Sequence, residues 1–124
     1  MRAVLITGAR DWADPGPIVD AIMDVDPNLI IEGGAEGADE HARVYAIRTG
    51  TARLTWPDDH WGGYVSGPVR NGYMVNVACA LAAAGWDVTV HAFPGPKSRG
   101  TWSCVSQARS AGLDIVIHSP AEIS

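Results

Sequence analysis

Five short apolar runs punctuate the chain, and between them hydrophobic residues recur every three to four positions. The first run, AVLIT (Ala3–Thr7), is apolar almost without interruption, as expected of a strand covered on both faces. NLIIE (Asn28–Glu32), DVTVHAF (Asp87–Phe93) and DIVIH (Asp114–His118) read as further strands. ARLTW (Ala52–Trp56), stopped by Pro57, is the least apolar of the five and suits a sheet edge.

The intervening segments have helical spacing. Ile18, Ile22 and Val25 follow Pro15 and Pro17, and Pro27-Asn28 ends that helix. Ala38, Ala42, Tyr45 and Ala46 share a face in a second helix that runs to about Arg48 and is closed by Gly50. Pro68 opens a third, with Val69, Tyr73, Val77 and Leu81 repeating every four residues and Gly85 as its cap. A fourth is predicted over Thr101–Ala111, capped by Gly112. Strands alternating with helices imply right-handed crossovers. The expected fold is therefore α/β: one Rossmann-like domain over residues 1–124, with a five-stranded parallel sheet and helices on both faces. A strand order of 3-2-1-4-5 would put a topological switch point beside strand one.

Composition narrows the function classes. With 124 residues, 47% hydrophobic and 19% charged, the chain can fill one core and does not resemble a disordered segment. No apolar run approaches the ~20 residues that span a bilayer, and MRAVLITGARDW is too short in its apolar part for a signal peptide. The expectation is a cytoplasmic protein with no membrane partner. A net charge of −5 argues against nucleic acid as the partner, but not against a small anion held by a few oriented N–H groups. Cys79 and Cys104 both fall in helices and read as buried small hydrophobes. Asp58-Asp59-His60 reads as a solvated loop, no metal site is expected, and no cofactor is identified. The dozen residues from Pro57 to Pro68 are long for a connection in a small domain, which favours a functional role.

Three glycine-bearing segments fall at carboxyl ends of strands, where open parallel sheets bind ligands. They are TGARDW (Thr7–Trp12), EGGAEGADE (Glu32–Glu40) and FPGPKSRGT (Phe93–Thr101). Glycine lets phosphate oxygens approach backbone N–H groups, and the following helix adds its free donors and positive dipole end. Gly33, Gly34, Gly37 and Ala38 could form one cradle. Gly95, Gly100 and Thr101 could form another, with the Thr101 hydroxyl as a donor or N-cap. Arg10, Arg70 and Arg99 are candidates for bidentate contacts to phosphate or carboxylate. Asp39 could accept from a ribose hydroxyl or simply favour its helix dipole, and Trp12, Trp61 and Trp102 could stack on a base.

Taken in order, TGARDW, EGGAEGAD, GPVRNGYM and FPGPKSRGT resemble the motifs of the YspA/YpsA-related branch of the SLOG superfamily, whose relatives include DprA and the LOG phosphoribohydrolases. The resemblance runs from Thr7 to about Ile117. It implies a Rossmann-like domain with a pocket for a nucleotide or nucleotide-derived ligand, an origin in bacteria or their phages, and a homo-oligomer. By position it implicates Gly8, Arg10 and Asp11, then Gly33, Gly34, Gly37, Ala38 and Asp39. Gly67, Pro68, Arg70 and Asn71 follow, and then Pro94, Gly95, Gly100 and Thr101.

Two departures bear on activity. The LOG hydrolases resemble P-G-G-x-G-T-x-x-E, whose glutamate serves cleavage of an N-glycosidic bond. Here Cys104 stands three residues beyond Thr101, and a thiol replaces that carboxylate poorly. Glu36 stands where the branch usually shows arginine, and near a phosphate it would repel the anion unless it points away. The expected function is binding, as sensing or sequestration, of a nucleotide-derived small molecule. The alternative is hydrolysis of a nucleotide N-glycosidic or phosphate bond with Asp11, Glu36, Asp39 or Asp59 as base. A single-strand binder of the DprA kind is disfavoured by the acidic balance.

Overall fold

A computed structural model describes residues 1–56 and 67–119. The elements alternate: β1 (Arg2–Gly8), α1 (Gly16–Val25), β2 (Leu29–Glu32), α2 (Ala38–Thr49), β3 (Ala52–Thr55), α3 (Gly67–Ala83), β4 (Asp87–Phe93), α4 (Arg99–Ser110) and β5 (Asp114–Ile117). The strands form one parallel sheet in the order β3-β2-β1-β4-β5, so the chain reverses direction across the sheet between β1 and β4. This is the α/β architecture that the apolar pattern implies, with the strand order preferred for its switch point beside β1. The dozen residues from Pro57 that suggested a functional loop, with Asp58, Asp59, His60 and Trp61, lie outside the described residues apart from Gly67 and Pro68, which begin α3.

Central β1 shows why an uninterrupted apolar run forms a strand here. Ala3 and Leu5 face one layer, with Met74, Val75, Cys104 and Ala108 of α3 and α4. Val4 and Ile6 face the other, with Ile18, Ile22, Ala38, Ala42 and Phe93. Both faces are dry, so alternation would have put polar groups into a core. Edge strand β3 has no buried residue, in keeping with its lower hydrophobicity.

Two elements depart from the pattern. Helix α3 buries Arg70, Asn71, Met74, Val75 and Ala78, whereas Val69 and Tyr73 are exposed and only Val77 and Leu81 of the expected row pack against the core. The helix is apolar nearly all round, so spacing alone does not choose its face. Arg70 and Asn71 decide it, because Asn71 Nδ2 donates to the Gly100 carbonyl of α4 at 3.0 Å. Helix α4 starts at Arg99 rather than Thr101, with Ser98 at its N-cap. Thr101 is therefore a buried first-turn residue, not a cap. The Ser98 hydroxyl accepts from the Gly95 N–H at 2.6 Å instead of serving the helix.

Among the described residues no helix is long and apolar enough to cross a membrane.

Candidate functional site

β1 and β4 stay paired to their carboxyl ends at Gly8 and Phe93, and residues from the N-terminal parts of α2, α3 and α4 converge beyond them at the switch point. They enclose a cleft of about 380 Å³. From the first loop come Thr7, Gly8, Ala9, Arg10 and Asp11; from the second, Ala35 and Asp39. Helix α3 supplies Gly67, Arg70 and Met74, and the fourth-strand loop supplies Lys97, Ser98, Arg99, Gly100 and Thr101. Among the described residues, four cationic side chains thus face two carboxyl groups in one small space.

Close packing of the loops requires glycine at two places. A β-carbon on Gly8 would stand 2.5 Å from the Ala38 β-carbon, so the start of α2 sits directly on the end of β1. Gly37 takes φ 74° and abuts the Ala9 carbonyl, where an L side chain would be both strained and overlapped. The Ala38 N–H donates to that same Ala9 carbonyl at 3.2 Å.

These contacts correct the expectation of an open cradle on the second loop. The Gly33 and Ala35 N–H groups donate to Asp39 Oδ2 at 3.1 and 3.4 Å, and the Gly34 N–H donates to Glu32 Oε2 at 2.6 Å. The protein's own carboxyls take the donors that a phosphate would use. Glu32 is fully buried, also accepts from the Thr55 hydroxyl, and has its pKa raised by burial.

Asp39 is the unusual group. It is 5% exposed, and its Oδ1 is buried and receives no hydrogen bond from the described residues. Burial first, and the nearby charge of Glu32 second, push its pKa up to about 7, against the pull of Arg70 and two N–H donors. The Arg70 guanidinium lies beside it. A β-carbon on Gly33 would be 2.9 Å from Asp39 Oδ2 and 3.0 Å from Arg70 Nε. Below this pair, Cys104 is wholly buried in the core under β1, and burial raises its thiol to about 11. A thiol so protonated is no nucleophile at neutral pH.

Eight of the fifteen site residues expected from sequence line the cleft: Gly8, Arg10, Asp11, Asp39, Arg70, Arg99, Gly100 and Thr101. Gly33, Gly34, Gly37, Ala38, Asn71, Pro94 and Gly95 do not line it. Gly37, Ala38, Asn71 and Gly95 instead fix the loops that do, through the contacts above. Glu36 is exposed and also stands apart from the cleft lining. Trp12 packs edge-on against Phe93 at 5.4 Å and belongs to the core, whereas Trp102 is 46% exposed beside the cleft mouth.

Sequence reasoning assigned no role to Lys97, Ser98, Met74 or Glu32. Lys97 and Ser98 lie within the FPGPKSRGT motif, and Met74 stands one turn beyond Arg70, so their signals were present. Glu32 ends an apolar run just before two glycines, which was the available clue to a buried carboxyl. Among the described residues, no group of three or more histidine, cysteine or acidic side chains could hold a metal ion.

Fold and site together define a Rossmann-like α/β protein with a charged cleft at the switch point of its sheet. The chain is 37% identical over 127 residues to the Gene 61 protein of Mycobacterium phage D29, an alignment covering 94% of this chain and 95% of that protein. It belongs to the family of that phage protein. No family model matches the chain.

Proposed function

We propose that this protein binds, without turning over, a nucleotide-derived small molecule whose anionic group sits at the start of α4. The observation that carries the reading is the convergence of Arg10, Arg70, Lys97 and Arg99 with the α4 N-terminus around buried Asp39. A β-carbon on Gly100 would meet nothing within 4 Å, so there is room at the start of α4. There the Arg99 and Trp102 N–H groups already donate to the Lys97 and Ser98 carbonyls, and the Gly100 and Thr101 N–H groups are the first-turn donors left to an incoming oxygen. Asp39 Oδ1, lacking a partner among the described residues, supplies the acceptor for a ligand hydroxyl. The motif resemblance to the SLOG superfamily supports the same class of ligand and, with it, assembly as a homo-oligomer. Thermal unfolding across a panel of nucleotides and nucleotide derivatives tests the reading. A rise in Tm with at least one of them is expected, and no rise with any would refute it.

A hydrolytic reading is favoured by one observation, the Asp39 carboxyl poised near neutral pH inside the cleft. The buried Cys104 thiol gives no help to that chemistry. Release of free base or phosphate, abolished by Asp39→Asn, would establish hydrolysis in place of simple binding.

A further inference from the structure

Outside the cleft mouth, the first turn of α4 borders a second depression of about 830 Å³. Trp102 lies in it, with Pro96 and Ser103, and it shares Lys97, Ser98 and Arg99 with the cleft. The segment 97–99 is thus a wall common to two spaces, with a cation at either end. Thr101 and Trp102 are successive helical residues about 100° apart on α4, which is why one is buried at the cleft and the other faces outward. Among the described residues no aromatic ring lines the cleft itself. A nucleobase would find charged groups, alanines and one methionine inside, and a half-exposed indole outside.

From the inside outward, the order of recognition groups is a buried acceptor (Asp39 Oδ1), an anion seat (Lys97 to Gly100) and an aromatic platform (Trp102). In a mononucleotide the phosphate is terminal, so nothing would lie beyond it to reach Asp39. We infer that the ligand is bipartite: a phosphate or pyrophosphate bridge rests on the 97–100 segment, a hydroxyl-bearing sugar reaches inward to Asp39, and a base stacks outside on Trp102. This rests on the binding function proposed above and specifies the ligand class. Single exposed hydrophobic residues are ordinary on protein surfaces. Trp102 differs because its groove shares the 97–99 wall with a cleft that contains a buried carboxyl oxygen without a partner among the described residues.

Calorimetric titration of the full chain with ribose 5-phosphate, adenosine 5′-monophosphate and ADP-ribose tests the inference. ADP-ribose should bind at least about tenfold more tightly than either fragment. Base–aromatic stacking predicts a loss of roughly fivefold or more for Trp102→Ala toward ADP-ribose and the monophosphate, with ribose 5-phosphate unchanged. Trp102→Phe should retain most of the affinity. Asp39→Asn should weaken ribose 5-phosphate and ADP-ribose but leave the monophosphate unaffected. If ADP-ribose binds no better than the monophosphate, or ignores Trp102→Ala, the bipartite ligand is wrong; ribose 5-phosphate binding that Arg99→Ala weakens would still uphold the cleft. If none of the three binds, the cleft reading falls and the bipartite ligand falls with it.

Discussion

Asp39→Asn should stabilise the folded protein relative to wild type, and increasingly so as pH rises. The Asp39 carboxyl has its pKa raised from 3.8 to about 7, so folding favours its protonated form. The sign follows from linkage: the favourable contribution is complete below about pH 4 and is lost as pH climbs through 7. A pKa displaced by one pH unit corresponds to about 1.4 kcal/mol, so a rise from 3.8 to about 7 sets an upper limit of about 4 kcal/mol. At 5% exposure, solvent screening reduces this little. Asn is nearly isosteric, and its carbonyl oxygen can still accept from the Gly33 and Ala35 N–H groups.

Wild-type stability alone is not the right readout, because His91 acts in the same window with opposite sign. Burial, then the neighbouring His118, lowers its pKa from 6.5 to about 4, so its contribution is lost as pH falls. The difference between Asp39→Asn and wild type isolates the carboxyl. Urea unfolding at half-unit steps from pH 4 to 8 should show the variant gaining up to about 1.4 kcal/mol for each pH unit. Parallel profiles for the two proteins would refute the claim that burial raises the pKa of Asp39.

Other expectations follow from the same geometry. His91→Gln should flatten the acid limb of the stability profile between pH 6.5 and 4, with an upper limit of about 3 kcal/mol, read by the same urea series. Gly37→Ala should cost about 2 kcal/mol or more, from backbone strain and overlap with the Ala9 carbonyl, seen as a drop in urea midpoint. Cys104 should resist thiol reagents in native protein at pH 8 and react on unfolding, which mass mapping of the labelled peptide would report. Exposed Arg99→Ala should leave Tm nearly unchanged while weakening an anionic ligand roughly tenfold by calorimetry.

How far the chain could be read follows from what each signal depends on. The strands were legible because a sheet covered on both faces demands continuous apolar runs, and β1 has one. The order β3-β2-β1-β4-β5 was one of several that right-handed crossovers allow, preferred because it puts a switch point beside β1. The buried face of α3 was not legible, because an apolar helix leaves that choice to polar residues such as Arg70 and Asn71, whose partners lie on other elements. The second glycine loop misled for a related reason. A helix N-terminus attracts negative charge from any source, and here Asp39 and Glu32 provide it. Glycine spacing does not distinguish an anion brought by a ligand from a carboxylate brought by the chain. The tryptophans divided in the same way, since Trp12 and Trp102 both flank loops and only three-dimensional packing separates core from surface.

Whether the start of α4 and the β1 loop together hold an anionic nucleotide derivative is decided by titrating isotope-labelled protein with ADP-ribose and following its amides by NMR. The largest saturable changes in resonance position are expected at the Gly8, Arg10, Gly100 and Thr101 amides, with Gly33 and Ala35, already bonded to Asp39, moving less. Saturable changes confined to surfaces away from this cleft, or none at millimolar ligand, would contradict binding there.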